Sequence, residues 1–142
     1  MNNAGERQGY RGYIASRAFL GHRVPQHVQN LVIRDYCRRR GLRYLLSLTE
    51  YTMPGCHMML EQALEELPRL EGIVMYSLFI LPRRRERRLH VYRRVIAAGA
   101  GLHAALEGLA VETTDDAARV EDLWALQSLV ATGHGTAALE WS

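Results

Sequence analysis

At 142 residues, 48% hydrophobic and 23% charged, the chain is long enough for one domain with a buried core and too apolar for a disordered chain. No apolar run approaches the roughly 20 residues of a membrane span, and the opening MNNAGERQG lacks the apolar stretch of a signal peptide, so a cytoplasmic location is expected. All 18 basic residues are arginine, which excludes Schiff-base chemistry and lysine phosphate loops, and a net charge of +3 is weak ground for nucleic acid.

Residues 1–9 read as a disordered lead-in. YRGYIA (10–15) is a first strand, stopped by Ser16-Arg17 and a loop with Gly21. Pro25 suits a helix start. Gln26–Arg40 places Val28, Leu31, Val32 and Tyr36 at helical spacing and stops at Gly41. LRYLLSL (42–48) is near-continuously apolar, the pattern of a strand buried on both faces. A helix over 57–67 carries Leu60, Ala63, Leu64 and Leu67 as its inner stripe, and Pro68 and Gly72 close it.

GIVMYSLFIL (72–81) is a third strand, long enough to cross a sheet. Pro82 opens a third helix with Leu89, Tyr92 and Ile96 inside, ending at Gly99 and Gly101. LHAAL (102–106) is a fourth, weaker strand. Thr114, Asp115 and Asp116 cap a last helix whose stripe is Val120, Leu123, Trp124 and Val130; a tail follows over 132–142. Strands and helices alternate with short connections. The fold class is therefore α/β: one three-layer domain over 10–131, a mainly parallel four- or five-stranded sheet with strand order 2-1-3-4, and helices on both faces.

In such sheets ligands bind beyond the carboxyl ends of the strands, where strand order reverses. Strands one and three then lie about 4.8 Å apart and flank the crevice. Ser16, Arg17, Tyr76 and Ser77 line it, and helix starts at Pro25 and Pro82 face it, which favours an anion. Ser16 reads as a catalytic serine, an anion ligand or the polar end of a strand; Arg17 and Arg23 have the chemistry of a phosphate clamp. Glu50 and Glu107 end strands three spacings apart, roughly 14 Å, too far for a glycosidase pair. Cys56 lies near a helix start beside His57, where the dipole would favour a thiolate, although a buried inert cysteine fits as well. The six histidines show no ligand spacing, so neither a metal nor a cofactor is expected. PRRRERR (82–88) is a charged helix face or a phosphate contact.

Two resemblances follow. From Gly12 to about Leu109 the layout resembles the catalytic domain of serine recombinases: GYIAS for the nucleophile strand, EYTMPGCHMMLEQALEELPRLEGIVMYS for the central helix and third strand, LHAALEGL for the fourth. The family's arginines are missing: Ile14 and Met53 stand at two of their positions, and SLFILPR replaces the arginine-rich signature after the third strand. That resemblance implies the fold without DNA strand exchange.

RGYIASR, RVPQHVQNLVIRDYC, EYTMPGC, GIVMYSLFILP and the LHAALEG region are similar to the small sporadic carbohydrate cluster proteins, over about residues 9–125. This resemblance implies a setting among genes for surface polysaccharide or other sugar-containing products. It adds Arg11, Gln26, Asn30 and Tyr51 to the site residues.

The expected function is binding, and conversion by acid–base chemistry, of a phosphorylated or nucleotide-linked sugar. Ser16, Glu50 and Tyr76 would be catalytic. Arg11, Arg17, Arg23, Gln26, Asn30, Tyr51, Ser77 and Glu107 would hold the substrate. An enzyme of this kind would be a lysine- and metal-independent isomerase, lyase or transferase. The alternatives are a non-catalytic partner of a sugar-modifying enzyme, docking through the last helix and the Trp141 tail, and a degenerate recombinase-like protein with residual nucleic-acid affinity. A homo-oligomer is expected, and no membrane association.

Overall fold

The computed structural model describes residues 7–53 and 55–133. Its elements in chain order are β1 (Tyr10–Ala15), α1 (Gln26–Arg40), β2 (Tyr44–Glu50), α2 (Met58–Glu66), β3 (Gly72–Met75), α3 (Arg85–Ala97), β4 (Gly101–Ala104), β5 (Leu109–Val111) and α4 (Thr114–Gly133). The five strands form one sheet in the order β2-β1-β3-β4-β5. The first four are parallel, and β5 turns back antiparallel on β4. The expected order 2-1-3-4 is thus present, with a short edge strand added. The β1-to-β2 crossover runs opposite to the two that follow, so α1 covers one face while α2 and α3 share the other. No helix among the described residues is long and apolar enough to cross a membrane.

The core is built from period-2 strand residues and helical stripes meeting between the layers. Tyr13, Ile14, Ile73, Val74, Met75 and Leu102 come from the sheet, Ile33, Leu60, Leu64, Val91, Tyr92 and Val95 from the helices, and all are essentially inaccessible. β1 and β3 are in register from Tyr10↔Gly72 to Tyr13↔Met75, and β3 and β4 from Gly72↔Gly101 to Met75↔Ala104. A Cβ at Gly72 would run into the Gly101 carbonyl, so only glycine admits this strand approach. The fourth helix docks on α3 through a paired charge. The Arg88 guanidinium donates to both oxygens of Glu121 at 2.7 and 2.8 Å, Tyr92 donates to the same carboxylate at 2.7 Å, and Trp124 lies under the Arg88 cation at 4.1 Å.

Several boundaries differ from the sequence pattern, each for a local reason. β2 starts at Tyr44 rather than Leu42, because Gly41 (φ 67°) closes α1: its N–H and that of Leu42 return to the carbonyls of Arg38 and Cys37. β2 is also not buried on both faces. It is the sheet edge, and a register shift between Arg11 and Gly12 leaves Leu46 unpaired and 79% exposed. β3 stops at Met75 instead of running to Leu81. Ser77 Oγ accepts from the Phe79 N–H, and Glu107 takes the Leu78 N–H, so the apolar SLFIL segment folds into a buried turn over Leu78–Ile80. The cap of α4 is Thr113, one residue before the expected Thr114. Its Oγ1 accepts from Asp116 N–H, and the Asp116 carboxylate accepts from Thr113 and Glu112 N–H, a reciprocal capping box. Residues 7–9 of the expected lead-in are bonded to the body, Gln8 N–H to Arg69 and Glu71 N–H to the Gly9 carbonyl. Residues 1–6 and the tail from 134, with Trp141, lie outside the described residues.

Candidate functional site

Beyond the carboxyl ends of β1 and β2, three segments meet: Ser16-Arg17 after β1, the loop 51–57 after β2, and the start of α3. Ser16 Oγ donates to the Glu50 carbonyl at 2.8 Å. Arg17 reaches over the loop. Its Nη1 donates to the carbonyls of Tyr51 and Cys56, each at 3.1 Å, and its Nη2 lies 2.9 Å from His57 Nε2. From the other side, Arg87 Nη1 donates to the Gly55 carbonyl at 3.3 Å. His57 is buried between the two arginines, with Nδ1 at 3.2 Å from the Gly55 carbonyl. A carbonyl only accepts and a guanidinium only donates, so the ring carries its proton on Nδ1 and offers the Nε2 lone pair to Arg17. Burial, then the Arg17 charge, lowers the His57 pKa and keeps the ring neutral, the state this pairing needs.

Glu50 serves this corner from beneath. It is fully buried, and its carboxylate accepts from the Tyr13 hydroxyl at 2.8 Å, from Met59 and Leu60 N–H at 3.1 Å each, and from Tyr51 N–H at 3.3 Å. The Cys56 thiol points at it from 3.8 Å. The α2 N-terminus therefore receives its anion from inside the chain. Read from the sequence as an acid–base residue, Glu50 is here a positioning residue that ties β1, the loop and α2 together. The Tyr13 hydroxyl, desolvated and beside this carboxylate, has its pKa raised and stays protonated.

On the neighbouring strands a second pair forms. Ser77 Oγ, fully buried, donates to Glu107 at 2.7 Å, which commits both residues to the turn after β3. Tyr76 is 6% exposed, packs edge-on against Phe19 at 5.9 Å, and keeps its proton because burial, then the Glu107 charge, raises its pKa. Phe19 is held there by a tight turn. It exchanges two backbone hydrogen bonds with His22 across Leu20 and Gly21, and Leu20 sits at φ 51°, a strained setting for a branched side chain.

The remaining sequence-derived residues scatter. Arg23 and Gln26 are exposed beside this corner, and Tyr51 is half exposed at its lip. Arg11 lies near the opposite end of β1, ion-paired to Glu66 at 2.9 Å. Asn30 faces β2, accepting from Ser47 Oγ at 2.6 Å. The structure thus separates Arg11 and Asn30 from the crevice, because strand and helix direction point them at other partners. Three contributors were not singled out for it: His57, Arg87, and the fully buried Gln29, whose amide bonds Ala15 N–H, Ala15 C=O and Val24 C=O and fixes the loop after β1. Gln29 was legible only as a polar residue on an apolar stripe. No group of three or more potential metal ligands gathers among the described residues.

Three comparisons bear on the fold. No family model matches the chain, and no curated protein does. Among solved structures, the chain is similar to the N-terminal catalytic domain of TP901-1 integrase, with TM-score 0.61 and 14% identity over 84% of this chain and 95% of that one. It is also similar to a resolvase family site-specific recombinase from Streptococcus pneumoniae, with TM-score 0.59 and 11% identity over 92% and 94%. At these identities the likeness is one of fold: the chain has a resolvase-like α/β domain.

Proposed function

We propose that the protein binds an anionic sugar, phosphorylated or nucleotide-linked, at the corner formed by Ser16, Arg17, His57 and Arg87, with Arg23 at its rim. The observation that carries the reading is the meeting of two guanidinium groups and a neutral histidine from three separate segments beside the Ser16 hydroxyl. The sugar part rests on the resemblance to the sporadic carbohydrate cluster proteins. DNA strand exchange is outside this reading: Ile14 is buried, Met53 is exposed, and Leu78–Ile80 is a buried apolar turn, so these positions supply no arginine to a scissile phosphate.

In this reading Arg17 and Arg87 neutralise the anion while Ser16 and Tyr76, both hydroxyls, contact the sugar and exchange protons with it. Glu50 acts by holding the loop. Calorimetric titration with UDP-glucose, GDP-mannose and glucose 1-phosphate tests it. Saturable heat is expected from at least one ligand, weakened about tenfold or more in Arg87→Ala. Absence of heat across a wider panel, from wild type and variant alike, would sink it.

A second reading, a non-catalytic partner of a sugar-modifying enzyme, is favoured by one observation. The far half of α4 exposes Leu126 (56%), Leu129 (68%) and Val130 (45%) in a row. A homo-oligomer would cover the same row. Light scattering on wild type and Leu129→Glu distinguishes the two, since only a self-association would be lost.

A further inference from the structure

The loop after β1 is fastened at both ends and loose between them. Gln29 holds the two ends with one buried side chain: its amide nitrogen donates to the carbonyls of Ala15 at 2.7 Å and Val24 at 2.9 Å, and its oxygen accepts from Ala15 N–H at 3.1 Å. Arg17 adds its bonds to the carbonyls of Tyr51 and Cys56. Between these anchors, no hydrogen bond among the described residues joins 18–23 to the rest of the domain. The backbone groups of Phe19 and His22 bond only to each other, at 2.9 and 3.0 Å. Of this stretch Phe19 alone packs against the core, while Ala18, Leu20, Gly21, His22 and Arg23 are exposed.

The turn holds its shape poorly by itself. Leu20 (φ 51°) and Gly21 (φ 78°) both have positive φ, the demand of a tight two-residue hairpin turn. Glycine meets it freely, and asparagine is the residue that suits the first position; leucine is strained there. Such a setting persists only while its surroundings fix it, and here the outside contact is the Phe19 ring, edge-on to Tyr76 at 5.9 Å.

Tyr76, by contrast, cannot withdraw. Its N–H donates to the Tyr13 carbonyl at 3.1 Å, and its own carbonyl accepts from Leu106 N–H at 2.9 Å. It stands beyond the carboxyl ends of β1 and β3, where strand order reverses and open sheets take ligands. The Phe19 ring lies over it there, and Tyr76 is left 6% exposed.

We propose that residues 18–23 form a lid, closed when Phe19 plugs the crevice between β1 and β3, which swings on Arg17 and Val24 to uncover Tyr76. This role rests on the reading in which Tyr76 contacts the sugar, and it makes Phe19 and the sugar mutually exclusive occupants of one place.

Acetylation of tyrosine hydroxyls by N-acetylimidazole tests the lid without any ligand. The chain has no lysine to compete for the reagent, and the tryptic peptide 70–83 carries Tyr76 as its single tyrosine, so mass spectrometry reads the site directly. Tyr76 should react at a rate that low urea leaves unchanged, the mark of a local opening, whereas Tyr92, 1% exposed in the core, should react only as the whole domain unfolds. Phe19→Ala should speed Tyr76 about tenfold. Leu20→Asn, which gives the turn a residue it favours, should slow it about threefold and keeps the test open if Phe19→Ala fails to fold. Labelling of Tyr76 with the urea dependence of Tyr92, or at a rate indifferent to Leu20→Asn, overturns the lid. An opening lid without calorimetric heat from the sugars would sink the sugar reading alone; heat with a lid that never opens would sink the lid alone.

Discussion

The two edges of one sheet each bury a histidine that the protein keeps neutral, yet they are built in opposite ways. At the carboxyl edge His57 lies between Arg17 and Arg87, both of its ring nitrogens have partners, and the carboxylate of the region, Glu50, is hidden beneath the loop. At the amino edge the carboxylates Glu71 and Glu112 are exposed, and His103 Nε2 has no partner among the described residues. A corner of two guanidinium groups over an internal counter-ion contrasts with an end of the sheet where a buried imidazole nitrogen goes unpaired.

Removing Glu50 should disturb this contrast most. Glu50→Ala leaves the Tyr13 hydroxyl and the N–H groups of Met59 and Leu60 without their acceptor in the interior. A loss of about 4 kcal/mol is expected in urea unfolding. A loss within experimental error would show that the loop and α2 hold without it.

Acid should act next, and on both edges. Each histidine has a folded pKa below its ordinary 6.5, so the unfolded chain takes up the proton first. For His103 the stability is intact above 6.5, declines as pH falls through the window from 6.5 to about 4, and has lost about 3 kcal/mol below it. His103→Gln, whose amide oxygen can still accept from Tyr36, should flatten that slope. An unchanged slope in the variant would assign the acid sensitivity to His57 or to the carboxylates.

The smallest effect belongs to Arg23, exposed at the rim of the corner. Arg23→Ala should leave the unfolding midpoint unchanged and weaken an anionic ligand by about 0.5 kcal/mol, an effect that salt screens. A large stability change would mean that Arg23 is built into the loop.

Most of the framework could be read from the pattern of apolar runs and breaks: the bounds of the first strand and helix match to the residue, although the helix buries Gln29, Ile33, Tyr36 and Cys37 and leaves Leu31 of the expected stripe exposed, and the alternation of elements led to strand order 2-1-3-4. What escaped depended on side chains that reach far along the chain. The end of β3 depends on Glu107, some 30 residues downstream, and a run such as SLFIL reads equally as strand or buried turn. Glu50 looked like an active-site acid because a carboxylate at a strand end gives no sign that it faces the N–H groups of the next helix. His57 was visible in MPGCH, but its two arginine neighbours come from positions 40 residues before and 30 after it, and no local spacing encodes that meeting.

The position of β1 has a consequence for how the chain assembles. β1 precedes both of its neighbours in sequence and lies between them, pairing with β2 on one side and β3 on the other. Until residue 75 is available, this strand, buried from Gly12 to Ala15, keeps an open edge from Tyr10 to Tyr13, a template for other chains. The hazard ends with a four-residue strand whose first residue must be glycine.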